Sequence, residues 1–174
     1  MKSIIIFGGA GFVGKHIIRR LAKNGYKIIV PYQKSVQEAK IRLLGVTGQI
    51  IPFRFSSLND KRLKSVLMSI DICINLKTTY DQNKGSFDES IYKFNKRLLN
   101  ILKLNKSLKH FIFFSGLGAD VDKNSTRSIA VYKSEKEAFK MLISGFLGEI
   151  LEKLQEGKLK NFLLKKLERQ INGH

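Results

Sequence analysis

The sequence predicts an α/β fold: a doubly wound parallel sheet of about five strands in the order 3-2-1-4-5, with a helical C-terminal tail. Three observations predict it. Short β-branched runs alternate with longer stretches of helical period. The first two runs enclose a turn in which Gly8, Gly11 and Gly14 recur every third residue. Each later run ends in polar residues, at the strand ends where an open sheet of this kind places its ligand.

The first unit, Lys2 to Tyr32, is the most informative. Ser3 to Phe7 is a β-branched and aromatic run, too short for a helix and polar only at its start, as expected of a strand covered on both faces. In the turn, Gly8 permits the tight bend, Gly11 lets backbone lie against a pyrophosphate, and Gly14 lets helix and strand pack closely. A helix from about Phe12 places Val13, Ile17, Ile18 and Leu21 on one face, opposite Lys15, Arg19, Arg20 and Lys23. Asn24-Gly25 ends it. The free N–H groups at its start, around Phe12 and Val13, would point at bound phosphate. Strand, glycines, helix and strand within about 30 residues form a specific pattern for dinucleotide binding.

The second strand, Tyr26 to Pro31, runs out into Tyr32, Gln33 and Lys34. An NAD-binding sheet usually carries Asp or Glu here to accept hydrogen bonds from the ribose. Here Gln33 is followed by Lys34, and a lysine beside the adenosine ribose would favour a 2′-phosphate, so NADP is expected ahead of NAD; a plain surface lysine in a lysine-rich chain is the alternative. A helix at about Ser35 to Leu44, a strand at Gln49 to Phe53 and a short helix at about Leu58 to Met68 follow. Next come a strand at Asp71 to Leu76, a polar loop from Thr78 to Ser86, a helix at about Glu89 to Leu104 and a strand at His110 to Ser115. Alternation of this kind implies parallel strands with right-handed crossovers.

The net charge of +18 raises nucleic acid as a partner, but the basic residues spread over every segment and no RNP-like or arginine-rich motif is present. No specific nucleic-acid partner is expected. The single cysteine, Cys73, excludes an internal disulfide and lies in an apolar run, as an inert core thiol would. The three histidines are too scattered to suggest a metal site. Met-Lys-Ser-Ile passes straight into the first strand without a leader pattern, and no apolar stretch is long enough to cross a membrane. A cytoplasmic location is expected, with the inner face of a membrane as the alternative.

Tyr132 and Lys136 are four residues apart in a helix beginning near Ile129, so they share a face. Tyrosine, with a free pKa of about 10, is a poor base near neutrality unless a cation favours its phenolate. Lys136 would supply that cation and also hydrogen-bond a nicotinamide ribose. Ser115 would polarise a substrate oxygen while Tyr132 exchanges its proton. Two such residues on a charged helix are also common as simple neighbours.

GGAGFVG, INL at Ile74 to Leu76, FFSGLGAD at Phe113 to Asp120 and YKSEK at Tyr132 to Lys136 together resemble the extended and atypical short-chain dehydrogenase/reductase superfamily, the NAD-dependent epimerase/dehydratase type. GQIIPFRFSSLND and the Ser-x-Leu-x-Ala pattern bring the chain near the branch of the NAD(P)-binding accessory subunit of respiratory complex I and its bacterial relatives. The resemblance covers about Met1 to Phe139. It implies a Rossmann sheet with NADP(H) or NAD(H) on Gly8, Gly11 and Gly14, Ser115, Tyr132 and Lys136 at the family's catalytic positions, and Asn95 where the family often has Asn. In the complex I branch the nucleotide is thought to be structural. Three positions depart from the family. Lys77, after Leu76, replaces a small residue; Ser56 replaces an Asp near the adenine; Gln33 replaces the residue that selects the cofactor.

The expected domain therefore spans residues 1–139, with a tail over 140–174 in place of the family's substrate lobe. In the tail Leu147, Ile150, Leu151 and Leu154, then Leu159, Phe162, Leu163, Leu167 and Ile171, recur at helical spacing. Packing on the sheet, truncation or frameshift of a longer chain, and docking to a respiratory-complex or membrane-surface partner are alternative readings of it. For the whole chain, a nucleotide-binding protein with an incomplete substrate site stands beside an active oxidoreductase or nucleotide-sugar epimerase/dehydratase-like enzyme.

Overall fold

A computed structural model of the chain describes residues 2–78, 86–115, 126, 127, 129–138 and 165. The elements are β1 (Ser3–Phe7), α1 (Phe12–Lys23), β2 (Lys27–Tyr32), α2 (Val36–Arg42), β3 (Ile50–Arg54), α3 (Lys61–Leu67) and β4 (Ile72–Asn75). A π-helical turn (Asp88–Lys93) then runs into α4 (Phe94–Leu102), β5 (His110–Phe113) follows, and residues 129–138 form a further helix, α5. All strand pairings are parallel, in the order β3-β2-β1-β4-β5. That is the expected order. The helical tail, the 139/140 boundary, most of the polar loop after Thr78 and Gly116 to Asp120 lie outside the described residues.

The side-chain alternation of β1 divides the core. Ile4 and Ile6 face α1 and α2, packing with Ile18, Ile28, Val30 and Ile41. Ile5 and Phe7 face α3 and α4, packing with Leu63, Leu67, Phe94 and Leu98. Both faces of β1 are therefore covered, which is why this strand reads as a continuous apolar run. Cys73 is fully buried within the second cluster, and burial pushes its thiol pKa up.

Two boundaries differ from the expected ones for identifiable reasons. α3 begins at Lys61 rather than near Leu58, because the Asp60 carboxylate caps it by accepting a hydrogen bond from the Arg62 N–H (2.9 Å). The helix expected from about Glu89 opens as a π turn instead of regular α-helix. Within that turn the Ile91 carbonyl accepts the side-chain amide of Asn95 (2.8 Å), one way the regular ladder is locally altered.

A buried amide ties the far end of the sheet. Asn105, just beyond α4, donates to the carbonyls of Leu67 and Ile70 (2.8 and 2.9 Å) and accepts from the Ser107 N–H (2.7 Å). At the start of β4, the Asp71 carboxylate accepts from the backbone N–H and the hydroxyl of Ser3 (2.8 and 3.1 Å). The backbone hydrogen bond from Ser3 is the main reason that carboxyl is held below the usual range.

Candidate functional site

The carboxyl ends of β1 and β4 meet at a glycine turn. Gly8 has φ +76° and its carbonyl accepts the Gly11 N–H (3.0 Å). A Cβ on Gly8 would lie 2.9 Å from the Leu76 carbonyl carbon and 3.0 Å from the Lys77 nitrogen. Conformation and closeness therefore both demand glycine there. A Cβ on Gly14 would fall 2.5 Å from the Gly9 carbonyl oxygen, so the third glycine seats α1 on the turn. At Gly11 the nearest obstacle is the Gly8 carbonyl, 3.1 Å away, and the rest of that face is open.

Along this turn runs a groove of about 490 Å³, walled by Gly8, Gly11, Gly14, Phe12 and Val13 on one side and by Leu76, Lys77 and Thr78 on the other. Phe12 is 82% exposed on the wall of this groove. Gln33, Gln37, Tyr32 and Phe55 close the end above β2 and β3. A second cavity of about 370 Å³ continues over β4 and β5 and shares Val13, Leu76, Lys77 and Thr78 with the first. It reaches Ser115, Phe113 and, on the approach to α5 and along it, Arg127 and Val131. The two cavities meet where strand order reverses between β1 and β4, the switch point of a doubly wound sheet. A nicotinamide dinucleotide fits the site on two counts: the open Gly11 face at a helix N-terminus, and a groove extending to both sides of the turn.

The expected ribose-binding end is built from amides and an acid engaged by a tyrosine hydroxyl. Gln37 accepts from the backbone N–H groups of Gln33 (3.3 Å) and Lys34 (3.2 Å), while the Gln33 side chain donates to the Ser56 carbonyl (3.2 Å). Lys34 is exposed beside the groove and is not among its walls. The Tyr32 hydroxyl donates to the Glu38 carboxylate on α2, which also accepts from Arg42 (2.7 Å). These contacts hold the Glu38 carboxyl below its usual range, the Tyr32 hydrogen bond first, and the same bond raises the tyrosine.

Behind the groove, the side-chain amide of Asn75 donates to that of Asn95, and Asn75 in turn accepts from the Lys77 N–H (3.0 Å). Both asparagines are buried, with 1% exposure. Asn95 is thus tied to the end of β4 and lies beneath the groove.

Ser115 follows β5 and lines the second cavity. Tyr132 and Lys136 lie together on α5, with the lysine ammonium 5.1 Å from the tyrosine ring centre. Their neighbour Val131 walls the cavity, whereas neither of the two is among its lining residues. α5 is held against the π turn by Ala130 and Val131, which pack with Phe87 and Ile91. Among the described residues no cluster of His, Cys, Asp and Glu could hold a metal ion.

Three contributors escaped the sequence: Gly9, Gln37 and Glu38. Gly9 had a signal in the doubled glycine of GGAGFVG. A Cβ there would lie 2.7 Å from Val30, so it too is sterically required. Gln37 and Glu38 reach three to six residues back along the chain, to backbone and side-chain groups at the end of β2.

The chain is similar over residues 4–140 to the family model described as the NAD dependent epimerase/dehydratase family. It is 29% identical over 122 residues to the NADH dehydrogenase [ubiquinone] 1 alpha subcomplex subunit 9 of Arabidopsis thaliana, which covers 69% of this chain and 30% of the relative. It is 31% identical over 125 residues to a decarboxylating sterol-4-alpha-carboxylate 3-dehydrogenase of Dictyostelium discoideum, covering 68% of this chain and 36% of that protein. The matches thus span about a third of these curated relatives. Among solved structures, a yeast methylglyoxal/isovaleraldehyde reductase complexed with NADPH superposes with TM-score 0.67 at 13% identity, over 80% of this chain and 52% of that one. A UDP-Glc/GlcNAc 4-epimerase from Campylobacter jejuni does so with TM-score 0.66 at 19% identity, over 83% and 50%. The strand order and the glycine turn agree with the family match, which covers most of the chain. The chain belongs to the NAD-dependent epimerase/dehydratase family.

Proposed function

We propose that this chain binds NADP(H) or NAD(H) along the groove, and that nucleotide binding is its principal activity. The observation that carries this reading is the glycine turn. It is pressed against Leu76 and Lys77 at Gly8, yet open at Gly11 toward a groove that continues over both halves of the sheet. The N-terminus of the 12-residue helix α1 adds a favourable field for phosphate. NADP is favoured over NAD, since no carboxylate is among the described walls of the first cavity and Lys34 and Arg54 stand at the neighbouring strand ends. Parallel fluorescence titrations with NADPH and NADH test that preference; tighter binding of NADH would reverse it.

A second reading is supported by Ser115 in the second cavity and by the closeness of Lys136 to Tyr132. A bound nicotinamide would give or accept hydride. Ser115 would orient the substrate oxygen, and Tyr132 would exchange its proton beside the Lys136 cation. Carbonyl reduction by the purified chain, lost in Tyr132→Phe, would establish turnover; its absence with intact nucleotide binding would leave the chain a binding module. The similarity to complex I subunits supports a respiratory complex as partner. Co-purification of this chain with that complex from native membranes tests it.

A further inference from the structure

In a chain with a net charge of +18, the described walls of the first cavity contain one charged side chain, Lys77. It walls the second cavity as well, so it stands where the two halves of the groove meet. Its backbone nitrogen lies 3.0 Å from where a Gly8 Cβ would be, beside the bend of the glycine turn. Its ammonium rests 3.8 Å from the centre of the Phe94 ring, and no acidic side chain among the described residues pairs with it. Burial alone depresses its basicity.

A half-buried ammonium on an aromatic face is only partly compensated for lost hydration. An anion arriving in the groove would complete that compensation, and a flexible four-carbon stem lets the head group move to meet it. Phe94 itself is fixed, packed edge-to-face on Phe7 with ring centres 5.6 Å apart. The ring is thus a resting place and the side chain above it is the movable part.

We propose that Lys77 is the cationic ligand of the bound nucleotide's diphosphate, leaving the Phe94 ring to form that ion pair. The role rests on the nucleotide-binding reading. It gives β4 a share in phosphate recognition that the glycine turn, with backbone N–H groups alone, does not provide. A small residue at this position would leave the groove without a side-chain charge.

The test is titration of the purified chain and its Lys77→Met variant with NADPH, ADP and adenosine, at low and high salt. Methionine keeps the length and can lie on Phe94, and thermal melting checks that the variant folds. Lys77→Met is expected to weaken NADPH and ADP by about tenfold or more, to flatten their salt dependence, and to leave adenosine unchanged. Equal or tighter binding of NADPH by the variant overturns the proposal, as does a loss confined to NADPH with ADP unaffected. A second readout is the Lys77 ε-methylene proton resonance, expected upfield while the ammonium rests on the ring and expected to move downfield as NADPH is added. If NADPH binds and that resonance stays in place, the movement is refuted. Gly11→Glu separates the two claims. If it binds NADPH as well as the parent, or if the parent binds none of these nucleotides, the nucleotide-binding reading fails and the Lys77 role with it.

Discussion

Asn95 holds Asn75 amide to amide beneath the groove, joining the first turn of α4 to the last residue of β4. Through the Asn75 carbonyl oxygen this link reaches the Lys77 N–H, so Asn95 bears on the backbone beside the glycine turn by way of Asn75. Replacing Asn95 with Leu removes the partner of Asn75 and the amide on the Ile91 carbonyl. A loss of about 1–3 kcal/mol in urea unfolding is expected, together with weaker nucleotide binding. Unchanged stability would mean that the pair is dispensable.

Gly8 and Gly25 share φ +76°, but only Gly8 has backbone within 3 Å of its missing Cβ. Gly25→Ala should therefore cost about 1–2 kcal/mol, the penalty of the left-handed conformation. Gly8→Ala adds a collision with Leu76 and Lys77 that cannot be relieved by a rotamer change. A distinctly larger drop in melting temperature is expected for Gly8→Ala, and equal drops would contradict the close approach of β1 and β4.

The acid limb of stability should depend on Asp71. Its carboxyl pKa is lowered in the folded chain, first by the Ser3 backbone hydrogen bond. A depressed carboxyl stabilises the fold above its unfolded pKa of about 3.9, and the contribution disappears as pH falls through the lower folded value. Asp71→Asn should thus be less stable than the parent at neutral pH, with the difference closing below about pH 4. A difference that widens toward acid would have the wrong sign.

Asn105 offers a test remote from the groove. Asn105→Ala strips the buried carbonyls of Leu67 and Ile70 of their donor. The expected cost is about 1–3 kcal/mol in chemical unfolding, with nucleotide affinity retained. Loss of affinity at unchanged stability would link this corner to the site in a way its hydrogen bonds do not.

The local parts of the fold were legible because local rules govern them. Ser3–Phe7 is apolar throughout since Ile4 and Ile6 face one helical layer while Ile5 and Phe7 face the other. The repeat of Gly8, Gly11 and Gly14 reflects backbone contacts within one turn and with the neighbouring strand end. What the sequence hid were pairings between elements. Glu38 reaches Tyr32 only because α2 folds back over the end of β2, and Phe94 lies under Lys77 only because α4 packs across β4. Lys77 stood out as an unexpected residue, but its resting place on an aromatic ring depends on tertiary packing.

The central claim is that the groove at the glycine turn binds a nicotinamide dinucleotide. Gly11 has an ordinary extended conformation, and a Cβ there would meet only the Gly8 carbonyl oxygen, at 3.1 Å, so Gly11→Glu asks for a small local shift while setting a carboxylate against the diphosphate position. Fluorescence titration of both proteins with NADPH is the most direct measurement. Saturable binding by the parent chain, lost in a Gly11→Glu variant that still melts cooperatively, is the expected result. No binding by the parent at millimolar nucleotide, or equal binding by both, would contradict it.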